Sequence, residues 1–153
     1  MIKTKSISDQ VDPADGKRIL IMRLWPRNYS KEKLCLKEWR PDLAPSNKLR
    51  QDWYAKSITW NQYVTRYLQE MQNQENAIRQ LAAMAKTETI TLLCIENETN
   101  PHCHRHLLKR LMEQAIQHPS GSQDDDNDSS NTDRIGLSGP PSGSTRPQTH
   151  ERR

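Results

Sequence analysis

Apolar and polar positions along the first 117 residues follow patterns that are typical of a mixture of strands and helices. Ile2 to Ile7 alternates between apolar and polar residues, as an edge strand does. The runs 19–22 and 89–95 are almost continuously apolar, as expected for strands that are covered on both faces. Because covered strands are characteristic of parallel sheets, we predict a small α/β domain with a mostly parallel sheet and about five flanking helices.

Helical spacing and capping residues place the predicted helices. The stripe over 60–71 is the clearest, with apolar residues three and four apart behind a Thr59 cap. A short helix is predicted from Ser30 to Trp39, and Asn100-Pro101 is predicted to start the last helix, since asparagine caps helices and proline favours their first position. The remaining two helices are predicted after Ser46 and around 77–85.

Composition changes sharply near residue 118. From there to residue 153 the chain is rich in Gly, Pro, Ser and Asp, with no aromatic residue and only two branched aliphatic ones. Such a segment cannot bury enough apolar surface to offset its ordering entropy. We therefore predict a single α/β domain over 1–117 and a disordered, acidic tail rich in Gly, Pro and Ser over 118–153.

Charge and composition narrow the classes of protein that fit. No apolar run approaches the ~20 residues of a membrane span, and the first residues lack the apolar segment of a secretory signal. We therefore expect a cytoplasmic protein that does not contact a membrane. The tail contributes −2 to the net charge of +4, which leaves +6 on the predicted domain. That charge suits an anionic partner, although it is also a common means of keeping a protein in solution.

Basic residues follow both covered strands. Arg23 and Arg27 come just after the first strand, and His104 and Arg105 come shortly after the second, which contains Cys94. In an open α/β sheet, ligands bind beyond the carboxyl ends of the strands, and a helix start adds amide donors for anions. If the strands are neighbours, the arginines meet at one edge and bind an anion. The alternative is that they pair with acids such as Glu96 and Glu98.

Three cysteines without a Cys-x-x-Cys pair argue against a disulfide framework. Cys103 lies four residues before Leu107 on the predicted buried face, so a small core residue is the simpler interpretation. The chemical alternative is a reactive thiolate, because a helix start and nearby cations lower the pKa of a thiol. Cys94 and Cys103 are accordingly the candidates for a catalytic nucleophile.

Metal and cofactor motifs are largely missing. His102 and His106 lie four apart and Cys94 could be close, which zinc accepts, but no second organised ligand pair accompanies them. The first 117 residues contain one glycine, Gly16, which excludes the glycine-rich dinucleotide and phosphate loops. We therefore expect no cofactor and no metal.

Several short segments carry a resemblance to a known family. They are Arg23-Leu24-Trp25-Pro26-Arg27, Ser30-Lys31-Glu32, Leu43-Ala44-Pro45-Ser46, Leu49-Arg50, Trp60, Tyr67 and Thr91-Leu92-Leu93. In this order they closely resemble the domain of unknown function 488 family, in its YeaO-like branch, over roughly residues 2–116. Cys103-His104-Arg105 resembles a motif of the wider family.

The resemblance implies a cytoplasmic α/β domain and no particular activity, and it favours Arg23, Arg27 and Arg105 as a shared site. Members of the branch usually have Asp where this chain has Met22, and Gly where it has Asn28. The missing acid argues against an acid–base role at Met22. Asparagine tolerates a left-handed backbone better than most residues, so Asn28 can replace glycine.

Three hypotheses for the function remain. The first is an uncharacterised domain that binds an anionic, phosphate-bearing small molecule through Arg23, Arg27, His104 and Arg105. The second is a phosphatase-like or sulfurtransferase-like enzyme that uses Cys103 or Cys94 as its nucleophile. The third is a basic nucleic-acid-binding or adaptor domain, which we rank below the small-molecule hypothesis. The sequence does not specify an oligomeric state.

Overall fold

A four-stranded, all-parallel sheet lies at the centre of the computed structural model, which describes residues 1–119. Its strands are β1 (Ile2–Ser6), β2 (Lys17–Leu20), β3 (Glu38–Trp39) and β4 (Ile90–Cys94), in the spatial order β1-β4-β2-β3. The helices are α1 (Lys31–Leu34), α2 (Asn47–Tyr54), α3 (Trp60–Met71), α4 (Glu75–Ala85) and α5 (His104–Gln117). The predicted α/β class is confirmed.

The two strands that were predicted to be covered are direct neighbours. β2 and β4 pair in parallel, with Ile19 opposite Leu92 and Leu20 opposite Leu93. All four of these side chains are fully buried, because elements or loops cover both faces of the sheet. Since the strands are parallel and adjacent, their carboxyl ends lie side by side at one edge of the sheet.

Alternation along the strands divides the core between the two faces of the sheet. Ile19, Ile21, Ile90 and Leu92 belong to the larger cluster, which includes the buried faces of α2, α3, α4 and α5. Their neighbours on the opposite face join a smaller cluster, formed by Ile7, Leu20, Leu34 and Leu93, with Trp25 and Tyr29 packed against it. This two-residue period is what a pleated strand imposes.

Two of the predicted helix starts are confirmed in atomic detail. The Ser46 hydroxyl accepts a hydrogen bond from the amide of Leu49, and Thr59 accepts one from Gln62. The Thr59 amide in turn donates a hydrogen bond to the Gln62 side-chain oxygen, which completes a capping box. These caps satisfy amide groups that the first helical turn leaves without partners.

The prediction of a helix from Ser30 to Trp39 is wrong beyond its first turn. Ser30 does cap α1, but Cys35 adopts a left-handed backbone with φ of 50° and ends it. The chain then forms β3, where the amides of Lys37 and Arg40 donate to the carbonyls of Arg18 and Leu20. Backbone pairing with the open edge of β2 thus replaces the helix.

The predicted start of the last helix at Asn100-Pro101 is also wrong. The Asn100 side chain accepts a hydrogen bond from the amide of His102, two residues on, which forms a local turn and not a helical cap. Cys103 remains extended, and α5 begins at His104. The shift places Cys103 before the helix, whereas the sequence pattern placed it in the first turn.

Most of the predicted tail over 118–153 lies outside the described residues, which end at Pro119. Within 1–119, no helix combines the length and the apolar character that crossing a bilayer requires.

A buried carboxylate, Asp15, joins the start of β2 to β1. Its oxygens lie 3.0 Å from the Lys5 ammonium and in hydrogen-bonding contact with the Arg18 guanidinium. The amide of Asp12 donates a further hydrogen bond at 3.0 Å. Burial opposes the charge of Asp15, but these three donors outweigh it, so the pKa of Asp15 lies below its ordinary value of 3.8.

Because this pKa is lowered on folding, the carboxylate stabilises the fold above pH 3.8 and loses that contribution as the pH falls through the folded-state pKa. We expect Asp15→Asn to lose less stability on acidification than the wild type does, measured by urea unfolding between about pH 6 and pH 2. Glu113→Gln, at an exposed position on α5, is the matched control and should keep the wild-type slope. Equal acid slopes for Asp15→Asn and wild type would contradict this account.

Candidate functional site

A cleft of about 240 Å³ opens beyond the carboxyl ends of β2 and β4. The chain leaving β2 contributes Arg23 to one side, and the end of β4 contributes Cys94 and Glu96 to the base. Cys103 and His104 reach the cleft from the start of α5. The position agrees with the general location of ligand sites in open α/β sheets.

Helix α2 and the start of α3 form the opposite wall. Arg50, Trp53 and Tyr54 come from α2, and Tyr63 comes from α3. The guanidinium of Arg50 lies over the Tyr54 ring, 5.9 Å from its centroid. The cleft therefore combines two arginines with an aromatic wall.

Arg23 links the two segments that carry most of the family resemblance. Its Nε donates to the Pro45 carbonyl at 3.1 Å, and its Nη2 donates to the Ala44 carbonyl at 3.0 Å. The next residue, Ser46, donates to Glu70 of α3 through both its amide and its hydroxyl. Arg23 thus holds the start of α2 against the end of β2, and its remaining Nη1 has no hydrogen-bond partner within 1–119.

Arg27, the second arginine of that segment, is exposed and does not line the cleft. Asn28 has φ of 68°, a left-handed conformation that asparagine tolerates better than most residues. Trp25 donates its indole N–H to the Tyr29 carbonyl at 2.7 Å and packs on the smaller core cluster. The aromatic residues of this loop therefore belong to the packing of the domain.

Arg105 is fully buried and does not line the cleft. Its Nη1 donates to the carbonyls of Lys5 and Glu96, and its Nη2 donates to that of Asn97. Glu98 lies 3.4 Å from the same guanidinium. Arg105 thus holds together the chain segments that leave β1 and β4. For this arginine, the alternative to anion binding applies, since the acid that it pairs with is Glu98. Of the four predicted ligand-binding residues, the structure brings Arg23 and His104 to the cleft.

The two candidate nucleophiles lie next to each other with His104. The sulfur atoms of Cys94 and Cys103 and a ring nitrogen of His104 are all within 4.8 Å of one another, and all three residues are buried. A hydrogen bond from the Cys103 thiol lowers the pKa of Cys94 despite its burial, with help from His104 and Arg105. The pKa of Cys103 is raised, first because its thiol donates that hydrogen bond to Cys94, then because it is buried and lies beside the negative charge of Cys94.

His102 and His106 do not come together. The His102 ring stacks on Trp60, with 4.6 Å between their centroids, and lines the cleft. His106 makes its hydrogen bond to the Asn100 carbonyl at 3.2 Å. Residues four apart share a face only within a helix, and His102 precedes α5, so the spacing does not bring the two rings together.

Arg50 and its aromatic neighbours in the cleft were not among the predicted site residues. The pair Leu49-Arg50 carries part of the family resemblance, and Trp53 lies four residues after Leu49, a spacing that by itself indicates an apolar helix face. Helical spacing can show that Arg50 does not share the buried face of Leu49, but it does not show which other element that side of α2 approaches.

Comparison with known proteins gives a consistent result. Residues 1–132 match the inactive DUF488-N3 subclade. The uncharacterized protein YeaO of Escherichia coli strain K12 is 35% identical over 102 residues, which span 66% of this chain and 89% of YeaO. The uncharacterized protein Rv3073c of Mycobacterium tuberculosis is 27% identical over 90 residues, spanning 59% of this chain and 70% of the relative. No solved structure matches the chain.

Proposed function

The chain belongs to the inactive DUF488-N3 subclade, and on that premise we propose that it is a binding domain whose cleft takes a small anionic, phosphate-bearing ligand. One observation carries the proposal. Arg23 and Arg50 line the same cleft, and neither forms an ion pair with a carboxylate within 1–119. Two guanidinium groups that share a concave surface and are not paired with a carboxylate are suited to a phosphate or carboxylate.

The arrangement also limits what the ligand looks like. Arg23 is held by two carbonyls, so its free Nη1 offers a donor in a fixed direction. Trp53, Tyr54 and Tyr63 give the cleft a mainly aromatic wall, which favours a ligand with an apolar or planar part beside its anionic group. Glu96 lies at the base of the cleft, where its carboxylate accepts hydrogen bonds from the Tyr54 hydroxyl and the Asn100 side-chain amide. Its negative charge disfavours a second anionic group of the ligand at that end.

The enzyme hypothesis has one supporting feature, which is that Cys94 and Cys103 line the same cleft. The description of the subclade as inactive favours binding over turnover. We rank the nucleic-acid hypothesis lower, because Trp25 and Tyr29 are half-buried against the smaller core cluster and offer less ring surface for stacking on bases. We therefore place the small-molecule hypothesis first.

The ligand class can be identified with a thermal-shift panel of nucleotides, sugar phosphates and inorganic anions, followed by calorimetric titration of the best binder. We expect Arg50→Gln to weaken that binding by about tenfold or more, since a charge-assisted hydrogen bond contributes about 1.5–3 kcal/mol. Arg50→Lys should restore binding only in part, because an ammonium cannot form the two-pronged contact.

Arg110→Gln is the matched control, since Arg110 is exposed on α5 and does not line the cleft. It makes the same change in net charge and should keep the wild-type affinity. If it weakens binding as much as Arg50→Gln does, the effect is one of overall charge and the cleft is not the site. A panel in which no anion shifts the melting temperature would also defeat the proposal.

A further inference from the structure

Beyond the anion-binding proposal, we propose that Cys94, Cys103 and His104 form a binding site for one zinc ion at the base of the cleft. The three residues come from two elements, the end of β4 and the start of α5. All three are buried, and all three line the cleft. Two thiolates and an imidazole are sulfur and nitrogen donors that suit zinc, whereas Mg²⁺ and Ca²⁺ prefer oxygen ligands.

The spacing of the donor atoms fits a tetrahedral ion. Zn–S bonds of about 2.3 Å and Zn–N bonds of about 2.0–2.1 Å place neighbouring donors roughly 3.5–3.8 Å apart. The Cys103 sulfur and the His104 Nδ1 are 3.9 Å apart, and no separation in the group exceeds 4.8 Å. A small closing movement of the side chains is enough to bring all three donors to an ion.

The His104 ring is already oriented for this role. Its Nε2 lies 2.6 Å from the carbonyl oxygen of Ile21. A carbonyl can only accept, so Nε2 carries the hydrogen and the Nδ1 lone pair is directed towards the thiols. Histidine ligands of metals are generally held in this way, by a carbonyl or carboxylate on the second ring nitrogen.

The charges balance when the ion binds. Zn²⁺ displaces the protons that the pair of thiols still holds, and the two thiolates neutralise the ion inside the protein. The positive charge of Arg105, close to Cys94, disfavours a metal cation there. That charge is already compensated by three carbonyls and by Glu98. The fourth position faces the cleft, where water, or the anion of the proposed function, completes the coordination.

Cobalt is the probe for the test, because Co²⁺ bound to thiolates absorbs in the near ultraviolet and tetrahedral Co²⁺ absorbs strongly in the visible. We expect the full-length, reduced protein to bind one Co²⁺ with both signatures, in buffer without phosphate, and Zn²⁺ to displace it. Cys94→Ser and Cys103→Ser should each lose most of the near-ultraviolet band. Cys35→Ser is the matched control, since Cys35 is exposed and outside the cluster, and its spectrum should equal that of the wild type.

X-ray absorption on the zinc-loaded wild type makes the test independent of whether the variants fold. We expect two sulfur neighbours at about 2.3 Å together with lighter atoms at about 2.0 Å. A shell of nitrogen and oxygen alone, or no bound metal at stoichiometric zinc, would overturn the proposal. Zinc binding without anion binding would contradict the proposed function and support this metal site. Anion binding without zinc binding would contradict the metal site and support the proposed function.

Discussion

Arg105→Ala lowers the free energy of unfolding by about 3–5 kcal/mol in our expectation, which is the usual cost of breaking a buried charged network by removing one partner. The guanidinium is fully buried and donates to three backbone carbonyls from two segments, around Lys5 and 96–97. Alanine would leave these carbonyls without donors and Glu98 without its cation, and it would open a cavity.

Urea unfolding measures this loss of stability, and two further variants show what causes it. Arg105→Lys should recover only part of the stability, because one ammonium cannot reach all three carbonyls in the plane of a guanidinium. Arg110→Ala, an exposed arginine on the same helix, should change stability by less than about 0.5 kcal/mol. If Arg105→Ala unfolds like the wild type but no longer binds an anion, Arg105 belongs to the ligand site after all.

Gly16→Ala should destabilise the domain by about 3 kcal/mol or more, since backbone strain and a collision act together. Gly16 has φ of 64° and ψ of −130°, a combination that is essentially confined to glycine. A Cβ at this position would lie 2.2 Å from the backbone oxygen of Thr89. That oxygen accepts the hydrogen bond of Lys17 at the start of β2, so the β2–β4 pair would have to shift to relieve the contact.

Asn28→Ala is the matched variant, because Asn28 also has a positive φ, of 68°, in an exposed loop. Because asparagine already has a Cβ, Asn28→Ala loses only the local support of the side-chain amide, which should cost less than about 1 kcal/mol. Chemical unfolding of both variants gives the comparison. A loss at Gly16 no larger than the loss at Asn28 would show that the strands absorb the added methyl group easily.

The arginines show where prediction from the sequence succeeded and where it stopped. Arg23 was expected at the strand ends and is found there, because it directly follows β2 and the geometry of a parallel sheet places it. Arg105 has the same chemistry and a similar distance from its strand, yet it points into the protein. The difference depends on Lys5, one hundred residues away, whose carbonyl is brought to Arg105 only when β1 pairs with β4.

The pattern of residues along the chain was enough to predict the α/β class, the covered strands and the caps at Ser46 and Thr59, since strand and helix periodicity and capping depend on nearby residues. Three features depend on contacts between distant segments: the chain after Cys35 forms β3, α5 begins at His104, and two cysteines and a histidine meet at the base of the cleft. The physical reason is the same in each case. Buried backbone groups and charges must find partners, and those partners come from distant segments that meet only in the folded domain.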